Sequence, residues 1–198
     1  MEGNTLFPIF LKPDQLNILI VGGGFVGFEK LSAILNNNIN AKITLVADYI
    51  SEDVAKLAYE APFVKLVHRK FFTSDLKDKQ LLILATGNRA LNEKIAHYAK
   101  SLGIITNVAD TPDLCDFYLG SIVQKGDLKI AISTNGKSPT LAKRMRQYFE
   151  EEIPDSIQAV MDKLQILRNR LKGDFAYKVE ALNKLTETLV ADKTEIES

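Results

Sequence analysis

The chain has 198 residues, 46% of them hydrophobic and 25% charged, the composition of a folded globular protein rather than a disordered one. Its 25 Lys and Arg balance 25 Asp and Glu, so no global basic field draws it to nucleic acid or to a membrane surface. Cys115 is the single cysteine, which excludes an intrachain disulfide and a thiolate metal cluster. With neither a signal peptide nor an apolar run long enough to span a bilayer, the expected setting is the reducing cytoplasm.

In chain order, residues 16–21 form a nearly continuous apolar run, the pattern of a parallel strand covered on both faces. A helix is expected from about Phe25, with Val26, Leu31, Ile34 and Leu35 inward, ending at Asn36-Asn37-Asn38. Residues 42–47 make the next strand. Ser51 is placed as the N-cap of a helix through Tyr59, with Glu52 and Asp53 at its positive end. Strands follow at Val64–His68 and Gln80–Ala85, then a helix from Asn88 to Lys100 and a strand at Ile104–Val108. Strand alternating with helix predicts an α/β fold, a Rossmann-like doubly wound parallel sheet.

The rhythm changes after Asp110. Phe117–Gln124 and Leu128–Thr134, joined by Lys125-Gly126-Asp127, read as a β-hairpin. Ser138 and Pro139 open a helix as N-cap and first residue. From Pro154 the apolar residues Ile157, Val160, Met161, Leu164, Leu167 and Leu171 recur at helical spacing. Lys172-Gly173-Asp174 interrupts the run, and Val179, Leu182, Leu185 and Leu189 resume it before a polar tail over Lys193–Ser198. The expected organisation is a nucleotide domain over 1–112, a hairpin and helix over 113–152, and a C-terminal helical region over 153–198. Two strands and a few helices bury little alone. Their apolar stripes are therefore expected to pack on a second copy of the chain as a dimerisation region; folding back on the chain's own sheet is the alternative.

The glycine motif is Gly22-Gly23-Gly24-Phe25-Val26-Gly27, between a strand and a helix as a dinucleotide fingerprint requires. Gly22 permits the tight turn, Gly24 the approach of a pyrophosphate, and Gly27 close helix–strand packing. Phosphates would sit on free N–H groups at the helix start. Glycines serving packing alone give the other reading. Asp48 stands just after the second strand, where an acidic residue bonds the adenosine ribose; with no Arg beside it, NAD is favoured over NADP. It also reads as an exposed residue before the Ser51 cap. Thr86-Gly87-Asn88 ends the fourth strand, either beside the nicotinamide half or as a plain turn with an Asn cap.

Asn107-Val108-Ala109-Asp110 ends the fifth strand at the same edge. A carboxylate at 110 can take a proton as hydride moves to a cofactor, or only cap the Thr111-Pro112 turn. Thr134-Asn135-Gly136-Lys137-Ser138-Pro139 gathers hydroxyls, a lysine and a helix N-terminus into an anion cradle. Lys143, Arg144 and Arg146 follow and suit a ligand with several carboxylates; an ordinary capped helix with a solvated basic face is the alternative. His68 and His97 are isolated and without metal-ligand spacing, Cys115 reads as a buried small hydrophobe, and no metal site is expected.

These stretches, together with Phe7-Pro8-Ile9-Phe10-Leu11, Cys115-Asp116-Phe117 and Ile132–Pro139, resemble the precorrin-2 dehydrogenase family, the N-terminal domain of siroheme synthases. They fall in family order over about residues 7–150, and Ser133–Pro139 is the most specific of them. The resemblance implies NAD-dependent oxidation of precorrin-2 to sirohydrochlorin, in siroheme or cobalamin synthesis, by a homodimer of the stand-alone form without a methyltransferase domain. It puts the essential aspartate on Asp110. The family's cofactor contacts fall near Gly24, Phe25, Val26, Asp48 and Tyr49, with Thr86 at the edge of the crevice; with Gly22 and Gly23 of the turn these make the expected cofactor set, and Asn107, Thr134, Lys137, Ser138 and Arg144 the expected substrate set. Some members also insert Fe²⁺ with the same aspartate, and a modifiable hydroxyl in some relatives aligns with Thr134. Two positions depart from the family: Glu29 replaces a basic residue and Gly120 a proline. A dimeric NAD-sensing module without chemistry is the competing class.

Overall fold

In the computed structural model, which describes residues 3–187, strand and helix alternate through the first compact unit, Met1–Leu119. The elements are β1 (Asn17–Gly23), α1 (Phe25–Leu35), β2 (Lys42–Ile50), α2 (Glu52–Glu60), β3 (Val64–His68), β4 (Leu81–Leu84), α3 (Arg89–Ser101) and β5 (Ile105–Val108). Five parallel strands lie in the order β3-β2-β1-β4-β5. Successive residues of a strand face opposite sides, and both sides are covered. Ile18, Ile20, Ile43, Leu45 and Ile83 join Leu31, Ile34 and Val54 of α1 and α2 in one cluster. Leu19, Val21, Val46, Leu82 and Leu84 join Ile95, Ala96 and Ala99 of α3 in the other. This is the doubly wound sheet the apolar runs predict. Burying a Leu or Ile side chain of this kind contributes roughly 1.5–3 kcal/mol, which is why the strands tolerate almost no polar residue.

The order of strands reverses between β1 and β4. At such a switch point the connections leave in opposite directions, and a crevice opens outside the carboxyl ends of the strands. The cofactor and catalytic residues expected in this unit lie along that edge.

Two boundaries differ from the sequence expectation. Strand β2 runs on to Ile50 instead of stopping at residue 47, because the β1–β2 register shifts after Val21 and Gly23 pairs with Ile50. The Ser51 N–H donates to the Gly23 carbonyl at 2.9 Å. The hairpin starts at Ser121, not Phe117. Residues 115–117 are instead stitched to β5: the Asp116 N–H donates to the Thr106 carbonyl at 2.8 Å, the Thr106 N–H to the Asp116 carboxylate at 2.9 Å, and the Asn107 amide to the Phe117 carbonyl at 2.9 Å. Phe117 packs on the first core cluster. The first unit thus ends at Leu119, beyond the division at 112 drawn from the change in rhythm.

The second unit, Gly120–Ser198, holds the antiparallel pair β6 (Ser121–Lys125) and β7 (Leu128–Ile132), then α4 (Pro139–Glu152), α5 (Ile157–Arg170) and α6 (Phe175–Thr186). Gly126 takes the left-handed turn position at φ +59°. Gln158 grips that turn: its carbonyl accepts from the Asp127 N–H at 2.7 Å and its amide donates to the Asp127 carboxylate at 3.0 Å. Lys125 adds an ion pair to Asp155 at 2.6 Å. At Gly120 a Cβ would stand 2.7 Å from the Ile132 carbonyl, so a residue without one fits this approach. Val123 and Ala142 are buried, whereas α5 and α6 bury no residue. Leu189 of the apolar stripe and the Lys193–Ser198 tail lie outside the described residues. No helix among the described residues is long and apolar enough to cross a membrane.

Candidate functional site

The four glycines of the motif serve different ends. Gly22 has φ +116°, and a Cβ there would run into the Ala85 carbonyl at the end of β4. A Cβ on Gly27 would strike the Gly22 carbonyl, so this residue brings α1 down onto the loop. Gly23 meets the Tyr49 carbonyl of β2. Packing explains all three. It does not explain Gly24, whose φ of −86° suits any residue and whose added Cβ would meet nothing within 4 Å. The space over Gly24 is open where a bound group would approach the backbone.

Helix α1 begins at this point with no side-chain cap and no acidic residue in its first turn. By contrast, α2 and α3 are capped by Ser51 and Asn88. An uncapped helix start leaves N–H donors and the positive dipole end for an anion. Phe25 is 75% exposed beside it, and Val26 is half-buried. The donor set fits a pyrophosphate.

The longer β2 places Asp48 and Tyr49 within the strand rather than after it, opposite the glycine turn. Both side chains are exposed. The Asp48 main-chain carbonyl accepts from His68 Nε2 at 3.0 Å, which puts the imidazole proton on that nitrogen. The Asp48 carboxylate is left open at the position where a ribose hydroxyl would be read.

At the end of β4 the Thr86 side chain is already engaged. Its hydroxyl donates to the Asn92 side-chain carbonyl, and the Asn92 amide returns a bond to the Thr86 main-chain carbonyl at 3.1 Å. Asn92 is 3% exposed. Thr86 therefore fixes the Thr86-Gly87-Asn88 loop against α3. Asn92 escapes the sequence reading; its signal is a polar residue on the helix face that otherwise carries Ile95, Ala96 and Ala99.

Asp110 stands two residues beyond β5 at the same edge, exposed, with φ +55°. Asp tolerates the left-handed region better than most residues, but such a position is uncommon and costs energy. If Asp110 capped the following turn, its carboxylate would accept a backbone N–H. The turn is instead closed by the Thr111 N–H to the Val108 carbonyl at 3.3 Å, and the Thr111-headed 3-10 turn over Pro112–Leu114 has no side-chain cap. Asn107 is buried, its amide spent on Phe117 as described. The Cys115 thiol bonds the Val108 carbonyl at 3.2 Å, and burial pushes its pKa up, so it stays a neutral thiol that ties the segment after Asp110 to β5.

In the second unit, Asn135 and Gly136 both take positive φ, 52° and 74°. The Thr134 hydroxyl closes this loop, accepting from the Ser138 N–H and donating to the Ser138 carbonyl, each at 3.2 Å. The Ser138 hydroxyl caps α4 through the Leu141 N–H at 3.2 Å. Lys137 is exposed, and a concavity of about 350 Å³ is lined by Pro139, Thr140, Lys143, Arg144 and Gln147. The cradle is thus built largely from its own hydrogen bonds, with its cations facing solvent. Among the described residues no group of three or more His, Cys, Asp or Glu could hold a metal ion.

A family described as "Putative NAD(P)-binding" matches residues 9–121, and one described as "Sirohaem biosynthesis protein central" matches residues 125–152. The siroheme synthase of Pseudoalteromonas atlantica is 37% identical over 169 residues, covering 85% of this chain and 36% of that protein. That of Psychrobacter cryohalolentis is 36% identical over 176 residues, covering 89% and 32%. The chain therefore spans about a third of the length of these curated relatives. Among solved structures, "SirC, precorrin-2 dehydrogenase" superposes with a TM-score of 0.74 at 22% identity, covering 95% of this chain and 91% of that one, a likeness of fold.

Proposed function

Because the chain belongs to the precorrin-2 dehydrogenase and siroheme synthase N-terminal domain family, we propose that it oxidises precorrin-2 to sirohydrochlorin with NAD as acceptor, in the cytoplasm. The observation that carries the reading is Asp110: an exposed carboxylate in a strained backbone position, at the strand edge that also holds the open Gly24 and the uncapped α1. The ends of β1 and β5 are separated by one strand, roughly 10 Å at ordinary strand spacing, a span that a nicotinamide and part of a macrocycle fill.

A bound nicotinamide supplies the hydride acceptor. The chain's own residues do the rest. The α1 N–H groups hold the pyrophosphate, and the Asp48 carboxylate accepts from a ribose hydroxyl, which favours NAD over NADP. Gly22, Gly23, Phe25, Val26, Tyr49 and Thr86 shape the trough around them. The substrate loses one hydride from a ring carbon and one proton, and Asp110 accepts or relays that proton. Lys137 and Arg144 pair with substrate carboxylates, Thr134 and Ser138 hold the loop and the α4 start that present them, and Asn107 holds the strand end behind Asp110. A homodimer is part of the proposal, since the apolar stripes of α5 and α6 leave Leu167, Phe175 and Leu185 exposed.

The test is to incubate the purified protein with precorrin-2 and NAD and follow the visible spectrum and NADH. Product bands with stoichiometric NADH are expected; neither appearing ends the dehydrogenase reading. Adding Fe²⁺ afterwards addresses insertion of the metal into the product, the second reading, in which Asp110 would take the pyrrole protons. A spectral change that depends on both Fe²⁺ and the protein supports it. Sedimentation of the same sample reads the oligomeric state.

A further inference from the structure

Strand β3 pairs with β2 in the register Ala47 with His68. The ladder ends there, with the His68 ring on the Asp48 carbonyl at 3.0 Å, and the chain bends at position 69, whose N–H donates to the Val67 carbonyl at 3.1 Å; the residue there leaves the sheet next to the Asp48 end of β2, the neighbourhood in which the 2′-position of an adenosine ribose would fall. That residue is Arg69, and an Arg in this neighbourhood is what accommodates a 2′-phosphate. Its guanidinium is not free. Nη2 and Nη1 bond the two Asp75 carboxylate oxygens at 2.6 and 2.8 Å, and Nη1 also bonds the Lys70 carbonyl at 2.9 Å. The group lies over the Phe72 ring at 5.0 Å. Asp75 is itself anchored by the Phe72 N–H at 2.9 Å, and its side chain is only 11% exposed.

We infer that Asp75 sets the dinucleotide preference of this site by holding the Arg69 fork, which leaves no bidentate partner for a 2′-phosphate. The inference rests on the dinucleotide reading above. Asp48 repels a phosphate at the 2′-position, and Asp75 withholds the cation that would offset that repulsion. Asp75 acts through Arg69 and is a positioning residue. Lys70, exposed at the next position, offers a hydrated point charge without the planar fork that matches a phosphate.

The experiment compares NADH and NADPH binding by fluorescence titration to the full chain and four variants. The wild type is expected to bind NADH and to bind NADPH more weakly. Asp75→Asn keeps an acceptor for the Phe72 N–H but loses the charge that holds Arg69. Its NADPH affinity is expected to rise about tenfold, the size of one charge-assisted hydrogen-bonded pair, with NADH affinity within about twofold, the margin of a lost contact too small to matter. The gain must disappear in Asp75→Asn with Arg69→Gln and survive in Asp75→Asn with Lys70→Gln. A role confined to folding would move both dinucleotides together. Unchanged NADPH affinity in Asp75→Asn, or a gain that persists without Arg69, overturns the inference while leaving the dinucleotide site standing. Wild type that binds neither dinucleotide overturns the site and the inference with it. Should Asp75→Asn fail to fold, Arg69→Gln alone decides: an unchanged NADPH to NADH ratio supports a sequestered Arg69, and a collapse of NADPH binding refutes it.

Discussion

The two units use similar helices to opposite effect. Helix α3 and helix α5 are 13 and 14 residues long, and both carry apolar residues at helical spacing. In the first unit the stripe meets a five-stranded sheet, and Asn92, Ile95, Ala96 and Ala99 are buried. In the second, the β-structure among the described residues is a two-stranded sheet, and α5 buries nothing. Periodicity specifies a helix and the face it must hide; it does not say what hides it. A helix short of about 15 residues is marginal alone in water, so the dimer proposal predicts that a second chain covers α5 and α6, whereas α3 is covered by the sheet of its own unit. Chemistry is accordingly expected to reside at the edge of the first unit and assembly on the faces of the second.

The sharpest break of that comparison is at Asp110. Asp110→Asn keeps the shape and the αL tolerance of the residue but removes the base. Turnover of precorrin-2 is expected to fall by about 10²–10⁴, the usual share of general acid–base catalysis, with NAD affinity unchanged by fluorescence titration. Full turnover in the variant would move the chemistry off this strand edge and favour a sensing module.

Next in size is a matched pair of truncations. Leu82 in β4 is fully buried at 0% exposure, and Leu167 on the apolar stripe of α5 is 40% exposed. Leu82→Ala is expected to cost about 2–5 kcal/mol in urea unfolding. Leu167→Ala is expected to change the stability of the isolated chain by less than about 0.5 kcal/mol and to shift sedimentation toward the monomer. Equal unfolding costs at the two positions would mean that α5 is covered within its own chain.

The same contrast explains how much was legible in advance. The parallel strands announce themselves as unbroken apolar runs because both faces are buried, and the hairpin by Lys125-Gly126-Asp127. Helix starts at Ser51, Asn88 and Ser138 are local, one side chain bonding an N–H three residues on, and were readable for that reason. What stayed hidden is non-local. The reach of β2 to Ile50 depends on Gly23 of another strand. Asn107 belongs to the motif before Asp110, yet its amide turns to Phe117. Thr86 looks like a free hydroxyl at a strand end until Asn92 of α3 arrives beside it. Arg69 looks like a surface cation until the 3-10 turn over Thr73–Leu76 brings Asp75 to it. Sequence shows which groups stand at the edge; only packing shows which of them are already satisfied.

The smallest effect is expected from two ion pairs that look alike on distance. Arg69–Asp75 and Lys125–Asp155 are both 2.6 Å, one in each unit. The Arg69 bond holds the Asp75 carboxyl below its ordinary pKa, helped by the Phe72 N–H and opposed by burial. Lys125 lowers Asp155 as well. Their surroundings differ: the Asp75 side chain is 11% exposed and Asp155 is 91% exposed. A carboxyl with a depressed folded pKa stabilises the fold above its unfolded value of about 4, and that stability is lost as pH falls through the lower folded value. Solvent and salt screen the Asp155 pair nearly completely. In thermal melts taken from pH 6 down through the carboxylate range, roughly pH 4 to 2, Asp75→Asn should start from a lower midpoint and lose less of it, so the two curves converge in acid. Asp155→Asn should track the wild type throughout. Convergence for Asp155 instead, or parallel curves for Asp75, would show that the second unit's surface pair is held as rigidly as the first unit's, and the contrast between the units would not extend to their electrostatics.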